Sequence, residues 1–191
     1  PTRKLGKTNY HATIFGLGGE GILRTSGYFR EAESVIKKAV EVGVNYFDTA
    51  PAYQQSRDYL GKFLWTYAKR ENVFLASKTH DRTYEGTLSL VEDSLRRLNT
   101  NYLDLLQLHD LREREELIEI FSGNGAVHAL EELKKQGKVR FLGITGHNDP
   151  DILIEAIKRY DFDTILLCVN AGDLHYLPFV TTVIPEARKK G

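Results

Sequence analysis

Apolar residues recur along this chain in two alternating rhythms. Ala32, Val35, Ile36, Ala39 and Val40 fall at helical spacing, Gly43 follows as a stop, and Val44 opens a short run that ends at Asp48. The same order of helix, break and strand then returns. A helix over 57–69 leads to a strand over 72–77 that ends at Lys78. Leu88, Val91, Leu95 and Leu98 mark a third helix, followed by an almost wholly apolar strand over 102–108 that ends at His109. A helix over 125–136 stops at Gly137, and the strand over 139–144 ends at Thr145-Gly146-His147. Asp149-Pro150 supplies an N-cap and a first-turn proline for a helix through Tyr160, and a strand over 164–169 ends at Asn170. The spacing predicts a last helix over 178–190, bent at Pro185.

Two segments precede this series. Residues 2–14 read as a β-hairpin around Gly6-Lys7-Thr8-Asn9, placed as a plug. Residues 13–21 read as a strand running into glycines that match G-x-G-x-x-G. A dinucleotide loop of that kind needs a helix opening directly on its last glycine, and 22–28 has no apolar period.

The strand-end residues Gly18, Asp48, Lys78, His109, Thr145 and Asn170 recur roughly every 30 residues, the period of a repeating βα unit. Six such units predict a parallel α/β fold, a (β/α)₈ TIM barrel with an N-terminal hairpin. Residues 1–191 then form one barrel domain, expected to be C-terminally incomplete, because Lys189-Lys190-Gly191 repeats the helix-then-glycine signal that elsewhere introduces a strand.

Composition narrows the partners. Lys plus Arg and Asp plus Glu are both 26, and no basic run is long enough for a nucleic-acid or anionic-membrane footprint. No run of 18 apolar residues appears, so a membrane span is unsupported. The single Cys168 has no partner for an internal disulfide and reads as a core residue in a cytoplasmic protein. A small neutral ligand is the expected partner.

In a barrel, Asp48, Tyr53, Lys78 and His109 come from the mouths of consecutive strands and meet at one face. The combination suits carbonyl reduction. A ketone or aldehyde that accepts hydride becomes an alkoxide and needs a proton, which a phenol can donate. A nearby ammonium is expected to make that phenol more acidic, a carboxylate to hold the ammonium, and the imidazole to orient the substrate oxygen or share the proton transfer. No side chain delivers hydride, so the mechanism asks for a nicotinamide cofactor.

The strings Phe47-Asp48-Thr49-Ala50-Pro51-Ala52-Tyr53, Ser77-Lys78-Thr79, Leu106-Gln107-Leu108-His109 and the run from Gly137 to His147 together resemble the aldo-keto reductase family. The resemblance implies a (β/α)₈ barrel, NADP(H) more often than NAD(H), and a catalytic tetrad of Asp48, Tyr53 as general acid, Lys78 and His109. It puts the family's Ser-Asn pair for the nicotinamide carboxamide on Thr145 and Gly146, and its following Gln on Asn170. Gly146 carries no amide where the family usually has Asn, and Gln54 stands where it usually has Gly.

Two other functions compete with a reductase of small aldehydes or ketones. One is a cofactor-binding regulatory or redox-sensing barrel with little turnover. The other is a metal-dependent hydrolase using His109, Asp110 and His147, against which stands the lack of a His-x-His after the first strand.

Overall fold

A computed structural model describes every residue except Asp173, Leu174 and Leu177. Strands β1 (Thr2–Lys4) and β2 (His11–Thr13) form the expected antiparallel hairpin, with Arg3 opposite Ala12. Six further strands, β3 (Leu17–Gly18), β4 (Tyr46–Asp48), β5 (Phe74–Thr79), β6 (Leu103–Leu108), β7 (Val139–Gly146) and β8 (Thr164–Leu167), form one parallel sheet in sequence order. Helices α1 (Phe29–Glu41), α2 (Ser56–Tyr67), α3 (Tyr84–Leu98), α4 (Arg114–Ile120), α5 (Ala126–Lys135), α6 (Pro150–Arg159) and α7 (Val183–Lys189) connect or follow them. The sheet curls as part of a (β/α) barrel of the predicted class, with β3 and β8 as its edges.

Alternation along each strand divides the residues between two faces. Phe47, Leu75, Leu106, Leu108, Leu142 and Ile144 pack outward with Ile36, Leu64, Leu95, Leu130 and Leu153 of the helices in the main core. Phe74, Ala76 and Leu105 form a second, inner cluster with Tyr46 and Phe141. Leu5 and Tyr10 of the hairpin pack on it, the Tyr10 ring 4.8 Å from that of Phe74, so the hairpin does plug the sheet's lower end.

The differences from the sequence reading have local causes. Helix α4 was not expected: it is short and highly charged, and it starts from a reciprocal capping box between Glu113 and Glu116. Helix α7 begins at Val183, five residues later than predicted, so Pro185 sits in its first turn, where its missing N–H costs nothing, and does not bend it. The glycine-rich stretch is not a phosphate loop. A Cβ on Gly19 would collide with Ser56 Oγ and stand 2.8 Å from the Asp48 carbonyl oxygen, so glycine is there to let the chain pass over the end of β4. Among the described residues, no helix is long and apolar enough to cross a membrane.

Candidate active site

The register of the sheet sets the site. Asp48 pairs with Ala76, Lys78 with Gln107, Gln107 with Gly143, and Thr145 with Leu166, so successive rows climb the inner face toward the C-terminal ends of the strands. At that end lies a cleft of about 420 Å³, lined by Tyr53, Lys78, His109, Thr145 and Gly146, with Leu166, Leu167 and Cys168 along one wall. Six of the seven residues singled out from the sequence therefore come together, five lining the cleft and Asp48 directly beneath.

Lys78 is 2% exposed although it carries a cation. Its Nζ donates to Asp48 Oδ1 and, at 3.1 Å, to the Thr49 carbonyl oxygen. It lies 4.7 Å from the centroid of the Tyr53 ring, and the His109 ring meets that of Tyr53 edge-on at 5.7 Å. Burial pushes the Asp48 carboxyl above the usual carboxylate range, while Lys78 and a hydrogen bond from Gln107 Nε2 (3.3 Å) pull it back.

The acidity of Tyr53 runs against the expectation. Burial, reinforced by the negative charges of Asp48, Glu20 and Asp110, pushes the phenol well above its ordinary value. The ammonium that was expected to lower it is paired with Asp48, so Tyr53 faces a nearly neutral ion pair. His109 moves the other way: burial, and then Lys78, bring its imidazole down to about 4, so it is neutral at pH 7.

The loop after β6 is stitched to both neighbours. The His109 N–H donates to the Thr79 carbonyl oxygen at 2.9 Å, and the Asp110 N–H to Thr145 Oγ1 at 2.8 Å. Arg82 Nη2 holds the His109 carbonyl oxygen at 2.7 Å while pairing with Glu116 at 2.6 Å. Asp110 has φ 53°, a left-handed conformation that a non-glycine residue adopts at some cost. Its Oδ2 takes Arg112 Nε at 2.7 Å and its Oδ1 lies 3.3 Å from His147 Nε2. Gln54, beside Tyr53, is also left-handed at φ 39°, where the family's usual glycine would be unstrained.

Sequence reasoning gave Gln107, Asp110, Arg82 and Glu116 no place at the site's core. Gln107 and Asp104 are the only polar residues in β6, which was the available signal. Asn170 is exposed and is not among the cleft's lining; its Oδ1 accepts the Gly172 N–H at 2.8 Å, and Cys168 is the residue of that segment that reaches the cleft.

The residues present fit a nicotinamide. The Thr145 hydroxyl accepts from Asp110 and keeps its own proton to donate, Leu166 offers an apolar wall, and Gly146 leaves backbone uncovered on the cleft side. The Gly146 side-chain direction is already filled: a Cβ there would meet Leu153 Cδ2 at 2.8 Å and the Leu111 carbonyl oxygen at 3.1 Å.

The chain is similar to known proteins along most of its length. The oxidoreductase YqkF of Bacillus subtilis is 29% identical over 185 residues, covering 90% of this chain and 56% of its own length. The L-galactose dehydrogenase of Arabidopsis thaliana is 34% identical over 155 residues, 75% of this chain and 48% of that protein. This chain thus spans about half the length of these curated relatives. The holo form of an aldo-keto reductase from Bacillus halodurans superimposes with a TM-score of 0.75 and 29% identity, over 88% of this chain and 57% of that one. The profile of the aldo/keto reductase family matches residues 14–175, the span that holds every strand of the curled sheet and every residue of the cleft; the chain belongs to that family.

Proposed function

We propose that this chain carries the catalytic site of an NADP(H)-dependent reductase, able also to take NAD(H), that converts a small aldehyde or ketone to its alcohol. One observation carries the reading: Tyr53, His109 and Lys78 border a single cleft, with Asp48 bound to Lys78 from below. When bound, the nicotinamide supplies the hydride in this chemistry. Thr145 and the backbone of Gly146 are the residues assigned to hold it; Asn170, which the resemblance adds from the segment after β8, stands outside the cleft's lining.

The side chains then divide the remaining work. Tyr53 is the general acid. Its raised pKa keeps the phenol protonated throughout the neutral range, and an alkoxide is basic enough to take that proton even so. Neutral His109 donates a hydrogen bond that orients the carbonyl oxygen. Lys78, fixed by Asp48 and Thr49, packs its ammonium against the Tyr53 ring and positions the phenol, its charge being largely balanced by Asp48.

The raised pKa of Tyr53 also supports a second reading, a cofactor-binding regulatory barrel with slow turnover. One experiment separates the two. Fluorescence of Trp65 and the tyrosines is followed during NADPH and NADH titration, and oxidation of the reduced cofactor is then measured with a panel of aldehydes and ketones. The panel includes an aldose, because one relative is named for L-galactose. Saturable binding with turnover is the expected result. Binding without turnover moves the chain to the regulatory reading, and no binding overturns both.

A further inference from the structure

Gln107 is 1% exposed in the middle of β6, between Lys78 on one side of its row and Gly143 on the other. Its Nε2 donates to Asp48 Oδ2, the oxygen that Lys78 does not take. Only the NH₂ end of an amide can face a carboxylate, so the carbonyl end is forced the other way. There Oε1 is buried and has no hydrogen-bond partner among the described residues. Gln107, Thr164 and Asp48 border a pocket of about 460 Å³ that opens to the surface. Gly143 leaves the room the glutamine needs: a Cβ would collide with Thr164 Oγ1 and stand 3.1 Å from Gln107 Cγ. For packing alone a leucine would serve better, since an orphaned buried acceptor costs about 1–3 kcal/mol. The amide is accounted for by what it does to Asp48.

We propose that Gln107 is a positioning residue: its amide keeps the Asp48 carboxylate ionised and turned toward Lys78, which in turn holds the ammonium beneath Tyr53. The catalytic part of this rests on the reductase reading above. The charged and titratable groups facing the pair are Lys78 from β5, Tyr46 from β4, Glu20 from the loop after β3, Tyr53 from the loop after β4, and His109 from the end of β6. Burial and Glu20 oppose ionisation of Asp48, whereas Lys78 and Gln107 favour it.

The test compares the wild type with Gln107→Met and with Gln107→Asn, whose amide is one methylene too short to reach Asp48 and which keeps the polarity should the first variant fail to fold. A charge-assisted hydrogen bond is worth about one pH unit, so the acid limb of the kcat profile should move up by that much in both variants, with KM for the carbonyl unchanged. Melting gives a readout independent of activity. Wild type gains over each variant only where Asp48 is ionised, so the gap in Tm should widen as pH rises from 4 to 8 and become constant with pH in an Asp48→Asn background. A gap that is constant in the wild-type background, or a kcat profile that superimposes on the wild type, overturns the proposal. An inactive wild type would instead sink the reductase reading, and the melting gap would then decide the link between Gln107 and Asp48.

Discussion

Strand β6 carries two polar residues, and the two ends of the sheet treat them in opposite ways. Near the floor, every contact of Asp104 closes. Its Oδ2 accepts the Leu75 N–H at 2.9 Å and pairs with Arg70 at 2.8 Å, while Oδ1 takes Arg140 at 2.6 Å. Arg70 stacks on Tyr102 at 3.8 Å and donates to the carbonyl oxygens of Val73 and Tyr102. Near the mouth, Gln107 Oε1 and Arg82 Nη1 are buried without a hydrogen-bond partner among the described residues, His109 is held neutral, the Tyr53 phenol is pushed up, and Gln54 and Asp110 are left-handed. One end of a single sheet is arranged for stability. The other keeps its polar groups only partly satisfied, which is what the proposed function, binding and protonating a ligand, would require.

The sharpest way to break this division is to exchange the symptoms of the two ends. Tyr53→Phe should lower carbonyl reduction by about 10²–10⁴-fold, the range for a lost general acid, with melting and cofactor affinity nearly unchanged. Asp104→Ala should do the reverse. It leaves the largely buried Arg70 guanidinium and the Leu75 N–H without their carboxylate, while the half-exposed Arg140 rehydrates, and breaking such a buried pair costs about 3–5 kcal/mol. Urea unfolding should register that loss, while kcat per folded molecule stays at the wild-type value. If Tyr53→Phe melts like Asp104→Ala, or Asp104→Ala lowers kcat, the two ends are not separate.

Much of the floor, and the placement of the mouth, was legible in the sequence. Runs such as 102–108 announce strands buried on both faces, and the residues just past them are the ones a barrel gathers, so Asp48, Lys78 and His109 could be found without knowing any distance. What stayed hidden depends on partners far along the chain. Gln107 reads as a flaw in an apolar run until Asp48, 59 residues away, is seen beside it. The sense of the Tyr53 shift was misread because Lys78 counts as a free cation in a string of letters, whereas in the fold Asp48 has largely cancelled it. Helix α4 escaped because its start signal is the spacing of two glutamates within a charged stretch, with few apolar residues to mark a face.

A smaller effect sharpens the comparison through pH. The His109 imidazole titrates at about 4 in the folded chain, below its ordinary 6.5, so on acidification the unfolded chain takes up the proton first. The stability that neutral His109 contributes is present above pH 6.5 and is lost as pH falls from there toward 4. His109→Gln removes this titration. The Tm of the wild type minus that of His109→Gln should therefore shrink across that window, and a difference independent of pH would mean that His109 is not held neutral by its surroundings.

The smallest expected effect uses two residues with nearly the same backbone strain at opposite ends. Asn99 has φ 50° at the C-cap of α3, on the floor side, and Asp110 has φ 53° at the mouth. A glycine relieves a left-handed conformation at either place, worth up to about 1 kcal/mol. At Asn99 that gain should appear nearly undiluted as a higher Tm with unchanged kcat, because the turn needs only the backbone. At Asp110 the relief comes with loss of the Arg112 pair and of the contact to His147, and the N–H that Thr145 accepts is left to a more mobile backbone. Asp110→Gly should therefore gain less in Tm than Asn99→Gly and weaken cofactor binding through the loosened Thr145. Equal gains at the two positions, with binding intact, would show that the strain at the mouth is incidental and that Asp110 holds nothing in place.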